Sequence, residues 1–189
     1  MQHKPFIITI VGPESSGKTT LARELASFYN APWVPEYARD YLIGLGRPYQ
    51  ENDLIRIAEG QLEAIYEVLS LHSSVGSSQP PGPLKGVNML ANTQYSYLTF
   101  QREEFGDAPR PLVIVDSGMM SLRMWARIKY GITIPVVEHA LKEDVTSLYI
   151  LCRPVIEWEA DPLREAPRLL DRVWIYNQFL KELSTVRER

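Results

Sequence analysis

The stretch "GPESSGKT", Gly12 to Thr19, fits the pattern G-x-x-x-x-G-K-[ST] without a mismatch. Each fixed residue type has a chemical reason. Glycines let backbone N–H groups turn inward around a triphosphate. A helix beginning near Gly17 adds its positive N-terminal end. Lys18 reaches the β- and γ-phosphates, and the Thr19 hydroxyl offers a ligand to Mg2+. Glu14, Ser15 and Ser16 fill the loop and Thr20 follows it. Together with Gly12 and Gly17 these residues form the expected nucleotide-binding set. The motif identifies a phosphate donor and leaves the reaction open, because many unrelated activities share it.

Three further stretches carry chemistry. "LVIVD" ends on Asp116, an acid at the carboxyl end of an apolar run, where a magnesium-side carboxylate is expected. The alternative is an Asp that caps the helix starting near Ser117. "WEADPLREAPRLLDR", Trp158 to Arg172, places Arg164, Arg168 and Arg172 in a Pro-broken segment. Arginines on such a flap can close over transferring phosphates and neutralise developing charge. They can equally pair with Glu159, Asp161, Glu165 and Asp171 in a solvated loop. "VPEYARDY" gathers Glu36, Arg39 and Asp40, which by themselves fit the acidic first turn of a helix.

These residues need elements to position them. Phe6 to Val11 is a continuous apolar, β-branched run and reads as a buried parallel strand. Helices are expected over Lys18 to Tyr29, Tyr37 to Leu45, Asn52 to Leu71, Gly118 to Tyr130, Pro135 to Asp144 and Arg172 to Arg187. Further strands are expected ending at Val34, over Leu112 to Val115, and over Leu148 to Cys152. Strands alternating with helices imply an α/β protein with a mostly parallel sheet. "SSVGSSQPPGPLKG", Ser73 to Gly86, reads as a flexible loop. A short helix is expected around Met89 to Glu103, ended by Pro109 and Pro111.

Composition fits one soluble domain: 189 residues, 45% hydrophobic, 23% charged, net charge −3. No basic surplus points to nucleic acid. The apolar run near the start is too short for a membrane span or a signal segment. The single cysteine, Cys152, excludes a disulfide framework and a Cys-rich zinc site, and a cytoplasmic location is expected. His3, His72 and His139 stand apart and read as surface residues. Cys152 reads as a small buried hydrophobe.

"GPESSGKTTLARELA", "EYARDY", "DLIRIAEGQ" and "W-x-x-D-x-L-R … D-R" occur here in one order. Together they resemble the ribosylnicotinamide kinase domain of NadR-type proteins, a P-loop kinase family. The resemblance covers residues 6 to 71 and 112 to about 180. It implies a three-layer P-loop NTPase/kinase fold with helices on both faces of the sheet. A single domain over 1–189 follows, with a flexible insertion at 72–111 and a mobile arginine lid at 153–172. The implied activity is phosphorylation of the 5′-hydroxyl of nicotinamide riboside, with ATP and Mg2+ as cofactors and no nucleic-acid or membrane partner. The wider alternatives are another nucleoside or nucleotide kinase, or a regulatory P-loop ATPase without a small acceptor.

The resemblance also assigns roles. Glu36 becomes the base that accepts the proton of the attacking hydroxyl, within hydrogen-bond reach of it. Asp40 is the competing base or a ribose ligand, and Arg39 steadies phosphate or substrate. Lys18 and Arg164 act on the transferring group. Tyr37 and Trp158 are expected beside the substrate. Family members usually carry an aromatic residue directly before this Glu, or a second acid two positions after the strand-end Asp. Here those positions are Pro35 and Gly118, so ring stacking falls to Trp33, Tyr37 or Trp158. Relatives continue into a further strand and helix, so either this chain is shortened or its sheet is completed otherwise.

Overall fold

The computed structural model describes residues 5–73, 97–101, 111–143 and 145–186. The elements run β1 (Phe6–Val11), α1 (Lys18–Tyr29), β2 (Trp33–Val34), α2 (Tyr37–Leu45), α3 (Glu51–Ser73), β3 (Tyr97–Gln101), β4 (Leu112–Asp116), α4 (Gly118–Tyr130), α5 (Pro135–Lys142), β5 (Leu148–Cys152) and α6 (Leu169–Val186). They build a five-stranded sheet in the order β2-β4-β1-β5-β3. The first four of these strands are parallel, and β3 pairs antiparallel with β5 at the edge.

The apolar runs are continuous because both faces of the sheet are covered. Side chains alternate between the faces along each strand. Phe6, Ile8 and Ile10 of β1, with Leu112 and Ile114 of β4 and Ile150 of β5, pack on Leu21, Ala22 and Leu25 of α1. Ile7, Val113 and Val115 point the other way, onto Leu54, Ile57 and Ala58 of α3 and Leu122 of α4. Tyr149 and Leu151 share that second face with Met120 and Met124 of α4 and with Phe179 and Leu183 of α6. This three-layer arrangement is the P-loop kinase-type α/β fold that the motifs imply.

Strand order sets the place of the site. β1 lies between β4 and β5, so the chain crosses to opposite sides of it, and ligands bind at such a switch point beyond the carboxyl ends of the strands. The register aligns those ends: Ile10 faces Asp116, Val34 faces Val115, and Val11 faces Leu151. The four segments singled out for chemistry therefore leave the sheet at one edge.

Several boundaries differ from the sequence reading: α3 runs Glu51–Ser73 rather than Asn52 to Leu71, and β4 takes in Asp116. α6 begins at Leu169 rather than Arg172, because Arg168 pairs with Asp171 across the first turn, Nε to Oδ2 at 2.7 Å. α5 ends at Lys142. A larger correction concerns Met89 to Glu103. Its described part, Tyr97–Gln101, is a strand and not a helix. Its aromatic and β-branched residues suit a pleated edge, and pairing with β5 decides the outcome. This strand completes the sheet beside β5. The rest of that stretch, and the loop expected at Ser73 to Gly86 apart from Ser73, lie outside the described residues. Among the described residues, no helix is long and apolar enough to cross a membrane.

Candidate active site

The cradle turns directly off β1. Gly12 has φ +143°, and a Cβ there would stand 2.7 Å from the carbonyl oxygen of Cys152 on the neighbouring strand, so only glycine fits. Ser15 and Gly17 also take positive φ, 49° and 81°, which curls the loop before α1 begins at Lys18. Pro13 O accepts the Ser16 hydroxyl at 2.7 Å and Lys18 Nζ at 2.9 Å. The lysine thus lies folded across the mouth of its own loop. Ser15 Oγ is buried and has no hydrogen-bond partner. Thr19 and Thr20 line the open side.

Two carboxylates face this loop. Asp116 ends β4 fully buried. Ser117, and not Asp116, takes the cap position of α4. Burial pushes the Asp116 carboxyl upward, while a hydrogen bond with Thr19 and the charge of Lys18 pull it back. Its Oδ2 is buried and without a hydrogen-bond partner. An orphaned carboxylate oxygen beside the Thr19 hydroxyl is a donor set that fits Mg2+, which prefers one or two protein oxygens and completes its shell with phosphate and water. Glu36 follows β2 at the cap position of α2 but makes no side-chain cap bond. Its carboxyl is raised above the ordinary range, chiefly by burial, then opposed by Lys18 and reinforced by Asp116. The Ser117 hydroxyl stands between the two acids, 3.3 Å from Asp116 Oδ1 and hydrogen-bonded to Glu36.

The backbone around Glu36 is pinned by Gln61 of α3. Its Oε1 accepts Tyr37 N at 2.8 Å, and its Nε2 donates to Pro35 O at 3.2 Å. One buried amide thus holds the peptide on both sides of the acid. Gly118 explains the missing second acid of the family pattern: a Cβ would lie 2.9 Å from Thr9 Cγ2, at φ +35°. Ser117 itself takes φ +71°, a strained conformation for a residue with a side chain.

The lid follows β5. Asp161, Pro162, Leu163 and Arg164 form a turn, with Arg164 N on Asp161 O at 3.0 Å and Leu163 N on Asp161 Oδ1 at 2.9 Å. Asp-Pro is a natural opening for such a turn. Arg39 reaches the same carboxylate, Nη2 to Oδ2 at 2.5 Å, so its guanidinium serves the lid rather than standing free for phosphate. Glu14 Oε2 accepts Glu165 N at 2.8 Å and Ala166 N at 2.9 Å. Tyr49 and Lys129 hold the Glu165 carboxylate from the other side.

Loop, acids and lid enclose a cavity of about 470 Å3, within the size range of small-molecule sites. The structure brings Gly12, Glu14, Ser15, Ser16, Gly17, Lys18, Thr19, Thr20, Glu36, Arg39 and Arg164 to its wall. It does not bring the others there. Asp40 is exposed and does not line the cavity. Tyr37 lies against Gly60 of α3. Arg168 is spent on Asp171. Arg172 is buried beneath the loop, donating to Ser15 O at 3.4 Å and Ile156 O at 3.0 Å, with Trp158 against its guanidinium. Trp33 packs with Tyr29 and Ala31 on the α1 face. Trp125 of α4 and Phe179 of α6 put aromatic rings on the wall, and Ser121 and Lys129 flank Trp125 on its helix. Sequence reading missed the three on α4, although their four-residue spacing on a helix that follows Asp116 is the signal that would have found them. Cys152, buried under the cradle, has its thiol pushed up to about 12 by burial and is inert.

Known proteins give an independent comparison. The trifunctional NAD biosynthesis/regulator protein NadR of Escherichia coli (strain K12) is 23% identical over 184 residues, which make up 96% of this chain and 37% of that protein. A crystal structure of NadR protein in complex with NR superposes with a TM-score of 0.62 at 20% identity, covering 97% of this chain and 44% of that one. NadR protein in complex with NAD and AMP-PNP gives 0.53 at 19% identity, covering 97% and 42%. The chain spans less than half the length of these relatives, and at such identities the structural likeness is one of fold. The sequence also matches the AAA domain family over residues 7–77 and 83–188, nearly its whole length, and with its nucleotide-binding P-loop in place the chain belongs to that family.

Proposed function

We propose that this protein transfers the γ-phosphoryl group of ATP to the hydroxyl of a small nucleoside-type acceptor. The acceptor we propose is nicotinamide riboside, phosphorylated at its 5′-hydroxyl to give nicotinamide mononucleotide. The observation that carries the reading is the half-buried Glu36, which faces Lys18 and Asp116 across an open cavity and makes no cap bond to its helix. A raised carboxyl in such a place suits proton abstraction near neutral pH. The acceptor oxygen attacks the γ-phosphorus, its proton passes to Glu36, and the bond to the bridging oxygen of ADP breaks. Lys18, released from Pro13 O, turns to the phosphates. Arg164 lies on the lid above them. Thr19 and Asp116 would hold Mg2+, which supplies neutralisation of phosphate charge.

The likeness to NadR in complex with NR supports the choice of acceptor, and Trp125 offers a wall on which a flat ring can stack. The cytoplasm is the proposed setting. The experiment is release of ADP measured with nicotinamide riboside against a panel of nucleosides. Riboside-dependent release is the expected result. Release with another nucleoside only would replace the acceptor. Hydrolysis stimulated by a protein, with no small acceptor effective, would replace the kinase reading by a regulatory ATPase.

A further inference from the structure

Glu14 occupies a variable position of the phosphate loop, yet its carboxylate is committed. Oε2 accepts two successive backbone N–H groups of the lid, Glu165 N at 2.8 Å and Ala166 N at 2.9 Å. Two adjacent N–H groups converging on one oxygen form a small anion nest, and hydrogen bonds to an ionised acceptor are the strong ones. The same short piece of lid is gripped from the opposite side. The Glu165 carboxylate receives the Tyr49 hydroxyl at 3.0 Å and an ion pair from Lys129, both anchored outside the lid. Arg172 adds a separate tie at the lid's other end, Nη1 to Ser15 O at 3.4 Å, also onto the phosphate loop.

Arg164 immediately precedes the two N–H groups. Its guanidinium bonds Glu159 O within the lid at 2.7 Å, so its position follows that of the lid backbone. The lid amides nearest the cradle are already occupied by Glu14. The lid's remaining contribution to a bound triphosphate is therefore the Arg164 side chain, aimed by the backbone that Glu14 holds.

We propose that Glu14 is a positioning residue: it latches the lid to the phosphate loop and so sets Arg164 over the donor phosphates. The latch stands on contacts between residues of this chain. Its consequence for transfer rests on the kinase reading above.

The test follows amide hydrogen exchange and kinetics in the full chain, comparing wild type with Glu14→Ala, Glu14→Asp and Glu14→Gln. Alanine removes the acceptor, aspartate keeps the charge but falls one methylene short, and glutamine keeps an acceptor oxygen in place. Exchange at the Glu165 and Ala166 amides is expected to rise about tenfold or more in the Ala and Asp variants, and much less in Gln. Amides of β1 and β4 should be unchanged, which shows that the fold is intact. With transfer measurable, kcat should fall about tenfold in Ala and Asp while ATP binding holds, and Gln should restore most of it. Unchanged exchange at the two amides in a folded Ala or Asp variant would overturn the latch. Lost ATP affinity at constant kcat would overturn it too, because Glu14 would then serve the nucleotide directly. If wild type transfers to no acceptor, the kinase reading fails, and the exchange result still decides the latch.

Discussion

The cradle and the lid meet across one cavity but are built by opposite means. The cradle is an extension of the core. It springs from a strand whose residues are all buried, and its shape comes from backbone conformation at Gly12, Ser15 and Gly17. The lid, residues 153 to 172, buries little beyond Pro154, Ala166 and Arg172. Its shape comes from a turn and from charged side chains that arrive from far along the chain: Arg39, Glu14 and Lys129. Cradle geometry is thus tied to global stability and insensitive to salt. Lid geometry can fail while the fold stands, because partly exposed pairs contribute little to stability and are screened.

The largest effects are expected on the cradle side. Glu36→Gln should lower phosphoryl transfer by about 10²- to 10⁴-fold while nucleotide binding is largely kept, measured as riboside-dependent ADP release and nucleotide affinity. Lys18→Ala should lose both. The pH profile sharpens this. Glu36 must be ionised to accept a proton and its carboxyl is raised, so kcat should fall with decreasing pH along a limb above the ordinary carboxylate range. The stability sign runs the other way. A carboxyl raised in the folded state favours folding below its unfolded pKa, and that advantage is lost as pH rises through the folded value. Glu36→Gln should therefore raise Tm at neutral pH, without nucleotide or divalent cation, in the same variant that loses transfer. A lowered Tm would mean that the acid is a structural partner and not a base held at a cost.

Gly12→Ala comes next. The methyl meets Cys152 O at 2.7 Å, and φ +143° is unfavourable for any L side chain. A loss of about 1–3 kcal/mol is expected, read as a lower denaturant midpoint at unchanged slope. No single substitution of an exposed lid residue should approach this. If one does, the lid belongs to the core and the contrast drawn above is wrong.

That contrast also explains what the sequence could tell. Lys18–Tyr29, Tyr37–Leu45 and Gly118–Tyr130 are legible because strand ends and amphipathic stripes are local signals, and the phosphate loop carries its own backbone code. Asp116 is legible because it closes an apolar strand, whereas Glu36 looks like an ordinary acidic helix start until the family resemblance singles it out. The lid arginines were ambiguous for a physical reason. Whether Arg164, Arg168 or Arg172 faces phosphate depends on partners distant in sequence, and three different answers emerged: one on the cavity wall, one paired with Asp171, one buried under the loop. Tyr97–Gln101 was misread because an edge strand of five residues has too little pattern to reveal its partner. Gln61 lay within a quoted motif, but its clamp on Pro35 and Tyr37 exists only once α3 has docked.

Trp125 tests the acceptor side of the same cavity. Trp125→Ala should raise KM for the acceptor about tenfold with KM for ATP unchanged, if the ring stacks on the substrate. Its indole N–H donates to Tyr49 Oη at 2.9 Å, so Trp125→Phe separates stacking from that bond. Phe should recover most of the affinity. A change in KM for ATP instead would move Trp125 from the acceptor to the donor end.

The smallest effect is expected at Arg39 and Asp161, whose side chains are 50% and 13% exposed. The Arg39 hydrogen bond holds the Asp161 carboxyl below the ordinary range. Any stability from the pair is therefore present above the unfolded carboxylate pKa and is lost as pH falls through the lowered folded value. Solvent screening limits it to roughly 0.2–1 kcal/mol, and a double-mutant cycle of Arg39→Ala with Asp161→Asn should find a coupling in that range that shrinks as salt is raised. The kinetic consequence should exceed the thermodynamic one. Loosening Asp161 frees the turn that carries Arg164, so kcat should fall several-fold in the single variants and become salt-dependent in wild type. Equal losses in stability and kcat would mean that the pair merely holds the fold. A kcat loss larger than the coupling energy accounts for would mark it as a tether on the moving part.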